Sequence, residues 1–542
     1  MKKCIVFVCI CLFLSSADAA IYNLNRSFYG VEHRLRLNIP DTVDPVRGIL
    51  IYGNGASGDS TGSATDFELV AFAESIGFTV LGTGLWYNFS QPDNSELLFF
   101  EDMLRELADM SGHPELVNAP WLPMGHSNGG QMSYGFNAKR PEKVIAFITS
   151  KGAYYNIIEP RTESLLTPGM LIAGERDTQL RRDNMRTLFE INRPRGALWA
   201  WIEEESSGHE ELNSRQLILT FLAECVRLRY PADQSPLDGP VTLKNLHEFD
   251  GWLVDQSTWQ DGLTQIYAYD DAPGDKRAYG WVPNEKIARY YQAFSSYRKV
   301  STSITSNSGV VTAPATLTYQ PMLVGSGLRG DVVTGTDFFF DGQFIGESDP
   351  PSDMAPSISV EQLFGGFHAF CAIVSYASGE QRATHLRRVF IEGPPPPSAF
   401  ESWAAENLPE DIQGPDDTLF DDGITNIERF AFGLDLTEPT YDFQPLQPAE
   451  PFVENIEGVD YVVYTYEVSD AARLAGLNIM PQISSDQQHW TNAVNIDDPS
   501  YGTPQFVSRE GNTVTLKYPS ADETLFFRIC VFDTFEGIAQ TE

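Results

Sequence analysis

Cysteine is scarce here, and the few cysteines present do not pair. The chain has six in 542 residues. Cys4, Cys9 and Cys11 share one short apolar run, which leaves Cys225, Cys371 and Cys530 far apart in the remainder. Domains stapled by disulfides carry closer, paired cysteines, so no disulfide framework is expected and these three are read as free, buried thiols. CxxC and HExxH are both absent, which removes the common signatures of a zinc site; no metal and no cofactor is expected. Basic residues are also in short supply: 37 Lys and Arg face 74 Asp and Glu, a net charge of −37. A surface this acidic repels phosphate backbones, so nucleic acid is not an expected partner. Beyond the first 20 residues no apolar run reaches transmembrane length, and no transmembrane anchor is expected.

Apolar material, by contrast, is ample. At 42% hydrophobic and 12% aromatic, the chain excludes a mostly disordered protein, and its length suggests about three or four domains. Residues 1–19 read as a secretory signal, with Lys2 and Lys3 at its charged end, an apolar run from Cys4 to Leu14, and small residues at Ala17 and Ala19 before Ala20. The expected location is therefore secreted or at the cell surface.

From 20 to 230, short apolar runs alternate with helical patterns. The runs Arg47–Tyr52, Phe78–Gly82, Trp121–Met124, Val144–Thr149, Met170–Ala173 and Ala197–Ile202 predict buried strands. Helical periodicity fills Ala64–Ile76, Glu96–Met110, Gly129–Arg140, Leu180–Asn192 and Asn213–Arg229. This order predicts an α/β fold, a doubly wound and mostly parallel sheet with helices on both faces. Residues 231–298 form an aromatic-rich extension with one predicted helix, Pro283–Tyr297. Its rings either line a cleft or pack the extension onto the core. Residues 299–393 hold short strand-like runs, including a hairpin signal at Asp341-Gly342 and two more strands joined at Ser378-Gly379, which predicts a β-sandwich. Four prolines make 394–398 a stiff linker, and the compositional break implies that residues 20–298 stand alone as a catalytic unit. Residues 399–542 carry 27 acids and 5 bases, a net −22 that concentrates the negative charge in a helix-then-β C-terminal module.

The chemistry falls in the first of these regions. Gly125-His126-Ser127-Asn128-Gly129 is a G-x-S-x-G motif directly between a predicted strand and a predicted helix. That junction is the context in which a sharp turn presents a nucleophilic serine at the carboxyl edge of a sheet. A serine needs a base, and the base needs an orienting carboxylate. The strand ends that follow supply Glu175 and Asp177, then His209. Asp177 is the leading acid, with Glu175 and Asp183 as alternatives. His209 is the leading base, since His113 precedes the serine and His247, His368, His385 and His489 lie outside the region. His126, inside the turn, is a candidate for shaping the pocket. The backbone N–H of Asn128 is the first expected oxyanion donor, and Gly55 or Ala56 in the glycine-rich loop after Tyr52 is the second. Trp86, after another strand end, is a pocket candidate.

These motifs resemble the α/β-hydrolases, near the secreted esterases grouped with polyhydroxybutyrate depolymerases, feruloyl esterases and dienelactone hydrolases. The resemblance covers residues 21–230 and rests on Gly125–Gly130, Gly174–Asp177 and Gly208-His209-Glu210. Those families usually carry His-Gly in the oxyanion loop, where this chain has Tyr52-Gly53. The resemblance implies ester hydrolysis through an acyl-enzyme. Residues 299–393 resemble the bacterial immunoglobulin-like modules appended to secreted enzymes, and the tail resembles those of multidomain secreted bacterial proteins, with surface or polysaccharide attachment as its implied task. Within 416–428, Asp421-Asp422-Gly423 resembles a calcium half-loop, but setting Gly423 at the loop's sixth position puts Thr418, Phe420 and Arg429 where oxygen ligands belong. The expected function is a secreted serine carboxylic-ester hydrolase acting on a polymeric or polysaccharide-linked ester. A serine peptidase of the same fold and a catalytically silent binding or adhesion protein are the alternatives.

Overall fold

The computed structural model describes residues 20–532 without 56–57, 85–93, 232–233, 259–261, 305–309, 313–314, 322–330, 349–356, 361–362, 364, 393–398, 441–445, 457–458, 470–477, 485–490, 493–505, 511 and 520–525. Residues 1–19, read above as a secretory signal, the proline-rich stretch, Ala56 and Trp86 therefore lie outside the described residues.

Eight strands form the first sheet: β1 Ala20–Phe28, β2 Val31–Ile39, β3 Gly48–Gly53, β4 Phe78–Thr83, β5 Trp121–His126, β6 Phe147–Ser150, β7 Gly169–Gly174 and β8 Trp199–Glu204. Their spatial order is β1-β2-β4-β3-β5-β6-β7-β8. Strands β3 to β8 run parallel, while β1 and β2 form an antiparallel hairpin joined to β4. Sequence reasoning missed that hairpin. Its apolar residues alternate with polar ones, as Leu35, Leu37 and Ile39 do in β2, and so they make no continuous run. The central strands are apolar on both faces because helices cover both. Leu50 of β3 faces a core shared with α1 Phe67–Ser75 and α6 Arg215–Arg229, whereas Ile49 and Ile51 face α2 Ser95–Ser111, α3 Asn128–Lys139 and α5 Gln179–Asn192. A single-turn helix, α4 Thr162–Leu165, precedes β7.

The extension adds a three-stranded sheet, with β9 Trp252–Asp255 between β10 Gln265–Ala268 and β11 Gly280–Val282, and then α7 Glu285–Ser295. Asn284 caps α7 by accepting the Ile287 N–H at 3.0 Å. Trp281, Tyr290 and Tyr291 are fully buried, and the Tyr291 hydroxyl donates to the Trp201 carbonyl at 2.5 Å. These rings pack the extension onto β8; they do not line a cleft.

Two sheets follow. One is β12 Thr302–Ile304, β14 Thr316–Pro321 and β17 Ser357–Ser359. The other is β13 Val310–Thr312, β15 Val333–Phe340, β16 Gln343–Ser348, β18 Gly366–Tyr376, β19 Gln381–Ala383 and β20 Arg387–Glu392. They enclose Leu317, Tyr319, Phe338, Phe340 and Phe370. The β15–β16 turn has Asp341 at φ 50° and Gly342 at φ 78°, the left-handed pair that a two-residue hairpin needs. A Cβ at Gly342 would also meet the Lys286 Cα at 2.6 Å, so the turn is seated directly on α7.

That contact is part of a wider interface. Phe339, Ala369, Cys371 and Ile373, on the outer face of β15 and β18, belong to the same apolar cluster as Leu217, Phe221 and Tyr290. The Tyr290 hydroxyl donates to Asp341 Oδ1 at 2.9 Å, and Arg388 donates to the Arg215 carbonyl at 2.6 Å and pairs with Glu68. A catalytic unit closed at residue 298 does not fit this packing, because one face of its own core is supplied by the β-module.

After the linker come α8 Ala399–Asn407 and α9 Asn426–Phe432, followed by strands that include Val459–Glu467 and Thr513–Pro519. Asp422, in the half-loop, forms a buried ion pair with Arg429, while Thr425 and Glu428 make a capping box for α9. A guanidinium from the loop's own twelfth position thus meets its carboxylate. Cys225 and Cys371 are free and buried. Among the described residues no helix is long and apolar enough to cross a membrane.

Candidate active site

The carboxyl ends of β5, β7 and β8 carry the three loops that build the site. At the end of β5, Ser127 has φ 55° and ψ −118°, a strained conformation for a residue with a side chain. Two features hold it there. Its N–H donates to the Ser150 carbonyl at 2.7 Å, and the next turn of α3 presses against β3. The Gly129 N–H donates to the Asn54 carbonyl at 2.8 Å, and a Cβ on Gly129 would sit 2.0 Å from the Gly53 oxygen. Only glycine permits that approach, which is the physical reason for the last glycine of the motif.

Asp177 follows β7 and His209 follows β8, and the structure brings both to Ser127. His209 Nδ1 lies 2.8 Å from Asp177 Oδ2, and His209 Nε2 lies 2.9 Å from Ser127 Oγ. A carboxylate only accepts, so Nδ1 carries the proton and the Nε2 lone pair faces the serine hydroxyl. Asp177 Oδ1 also accepts the Thr178 N–H at 2.7 Å. The Asp177 side chain is 3% exposed and that of His209 is 39% exposed, so the acid is sheltered while the base is open to substrate.

The alternatives are used elsewhere. Glu175 accepts the Ser206 N–H at 2.6 Å and so fastens the histidine loop. Asp183 is exposed on α5. His113 lies 2.8 Å from Glu115, and with Asp44 these form a possible metal-ligand set at the amino ends of the strands, away from Ser127. Glu115 there already accepts the Val46 N–H at 3.1 Å. His247 stacks on Phe249, and His368 faces Asp341. His489 lies outside the described residues.

His126 supports its neighbour. Its Nε2–H donates to the His209 carbonyl, and the two rings are 4.8 Å apart. Burial pushes its pKa below the usual histidine value, which favours the neutral ring.

The oxyanion donors are met in part. Asn128 is the first residue of α3, so its N–H has no acceptor within the helix, and it lies beside the nucleophile. Gly55 is also adjacent: a Cβ there would be 3.8 Å from Ser127 Oγ. Its N–H, however, donates to Asn54 Oδ1 at 2.7 Å and is not aimed at a reacting oxygen. The Asn54 side chain, which the glycine-rich pattern does not reveal, takes up the Gly55 donor, while Ala56, the other candidate, lies outside the described residues.

Sequence reasoning also missed what supports the histidine loop. Lys151, at φ 52° and fully buried, pairs with Glu204 and donates to Ser207 Oγ at 2.9 Å. Ser207 Oγ in turn donates to the Glu210 carbonyl at 2.5 Å, and Glu204 Oε1 accepts the Asn213 N–H at 2.6 Å. Glu204 is thus tied to both ends of the turn that carries His209. A lysine just past one strand and a glutamate ending another were the only traces of this in the sequence.

No family model matches the chain, and no curated protein matches it. Solved structures that are similar include poly(aspartic acid) hydrolase-1 from Sphingomonas sp. KT-1, at 15% identity and TM-score 0.30, over 38% of this chain and 98% of that one. S-formylglutathione hydrolase from Staphylococcus aureus is similar at 14% identity and TM-score 0.28, over 39% and 99%. A thermostable esterase is similar at 21% identity and TM-score 0.29, over 35% and 55%. What carries the fold assignment is the chain's own topology: the sheet order, the strained serine after β5, and the chain order serine, acid, histidine. The N-terminal region has the α/β-hydrolase fold.

Proposed function

We propose that this protein is an exported serine carboxylic-ester hydrolase working through an acyl-enzyme. The observation that carries the reading is the unbroken line of hydrogen bonds from Asp177 through His209 to Ser127 Oγ, at 2.8 and 2.9 Å. In it, His209 Nε2 takes the Ser127 proton as Oγ attacks the ester carbonyl. Asp177 holds the imidazole in the required tautomer and stabilises the imidazolium. The Asn128 N–H, at the positive end of α3, faces the developing oxyanion. The imidazolium then gives its proton to the leaving oxygen as the carbonyl–oxygen bond breaks. Water, deprotonated by the same base, attacks the acyl-serine and releases the acid and Ser127. The β-rich modules beside and after this domain support a polymeric or surface-bound substrate, and the N-terminal apolar segment supports export.

A panel of aryl, acetyl-polysaccharide and feruloyl esters tests the reading, run with the wild type and Ser127→Ala. Hydrolysis of at least one class by the wild type, with loss in the variant, is the expected result. Equal turnover by both proteins would remove the serine from the mechanism.

A further inference from the structure

Arg181 stands at the reacting atoms with no task in the steps above. Its Nη1 is 3.4 Å from His209 Nε2, and its Nε is 3.6 Å from Asp177 Oδ1. Its side chain is 30% exposed, so part of it faces solvent beside His209. The neighbouring arginines are directed elsewhere: Arg182 and Arg186 approach Glu203 at 4.0 and 3.3 Å, and Arg176 donates to Ser206 Oγ at 3.3 Å. Among the described residues Arg181 meets no carboxylate except Asp177, whose oxygens already accept from His209 and Thr178.

Even with Asp177 beside it, a guanidinium at this distance from the base works against proton uptake. A guanidinium stays protonated, so Nη1 can only donate towards Nε2, in competition with the serine hydroxyl. Once Nε2 has taken the serine proton, two cationic donors face each other at close range. Asp177, shared between His209, Thr178 and Arg181, offsets that repulsion only in part, and a further negative charge seated on Arg181 offsets the rest. Its position follows from the proton's path. Nε2 passes the proton from Ser127 Oγ to the leaving oxygen, so a group 3.4 Å from Nε2 is within reach of a substituent carried by the leaving alcohol.

We propose that Arg181 binds a carboxylate carried by the leaving alcohol, so that the enzyme selects esters whose alcohol portion is a hydroxy acid with its carboxylate free. This rests on the ester-hydrolase reading above and names its substrate class. The planar guanidinium offers two parallel N–H groups to a carboxylate, which fixes both its position and its angle. With the carboxylate a few atoms from the scissile oxygen, that oxygen is placed against the His209 proton it must receive. The acyl group passes to Ser127, the hydroxy acid leaves with the proton, and water completes the turnover.

The test compares 3-acetoxypropanoate with its uncharged isostere 3-acetoxypropanamide, reading acetate release, with 4-nitrophenyl acetate as a neutral measure of the triad. In the wild type, kcat/KM for the acid is expected to exceed that for the amide by about tenfold or more, the worth of a charge-assisted pair. In Arg181→Gln the ratio falls to about one, chiefly through KM for the acid, whereas Arg181→Lys keeps part of the preference. If 4-nitrophenyl acetate is hydrolysed but the wild type does not prefer the acid, or Arg181→Gln retains the preference, the proposal is overturned and the ester-hydrolase reading stands. If no ester is hydrolysed, both fall.

Discussion

Lys151 and Glu204 meet as a buried ion pair, Nζ to Oε2 at 2.5 Å, beneath the turn that carries His209. Removing one partner leaves an uncompensated buried charge, which costs about 3–5 kcal/mol. Lys151→Met should therefore lower stability by that order in denaturant titration. Glu204→Gln keeps an acceptor for the Asn213 N–H but leaves the buried Lys151 charge without its partner, so its cost should be of the same order. The double variant should show a coupling of about 1–3 kcal/mol. Strict additivity would mean that the pair does not hold the loop.

Asp177→Asn addresses the orientation of the base. An amide can donate to Nδ1 and so favours the tautomer with its proton on Nε2, facing Ser127 the wrong way. A fall in kcat of about 10⁴-fold is expected, with little change in KM or fold. Steady-state kinetics on a soluble aryl ester reads this directly, and a loss of tenfold or less would point to a different acid.

The shared core makes a claim about truncation. A chain ending at Tyr297 would lose Phe339, Ala369, Cys371 and Ile373 from the apolar cluster that also holds Leu217, Phe221 and Tyr290. It should aggregate or melt well below the full chain, whereas one ending at Glu392 should remain soluble and active on small esters. Equal thermal stability of the two would show that the β-module is merely tethered.

Acid should loosen the seam between α6 and α7 through Glu224. Burial alone would raise its carboxyl, but Arg227 and Lys286, helped by hydrogen bonds from Arg227 and Asn284, outweigh it and bring the pKa down to about 2. A folded-state value below the ordinary one adds stability that is complete above about pH 4.5 and is lost as pH falls towards 2. That contribution is about 3 kcal/mol. Glu224→Gln should flatten the acid limb of the stability curve over this window; an unchanged limb would assign it to other carboxylates.

How far the sequence carried can be judged from particular residues. The parallel strands were legible because each is a continuous apolar run, and Ser127, Asp177 and His209 because each follows such a run. The β1–β2 hairpin was not, because its alternation is mixed with charge. Phe338-Phe339-Phe340 was legible as a strand, but the reason for three consecutive rings, a sheet covered on both faces, appears only once α6 and α7 are packed against it. The Asn54 side chain bonded to Gly55, the Lys151–Glu204 pair and the approach of Arg181 to His209 all depend on loops brought together by the sheet. No spacing along the chain encodes them.

The most direct test of the central claim is covalent. An aryl fluorophosphonate reacts with a serine only where a base and oxyanion donors activate it. Intact-mass spectrometry after incubation should show one added phosphonyl group per chain, peptide mapping should place it on Ser127, and His209→Ala should abolish it. Labelling elsewhere, or none under conditions where the protein hydrolyses esters, would contradict the account.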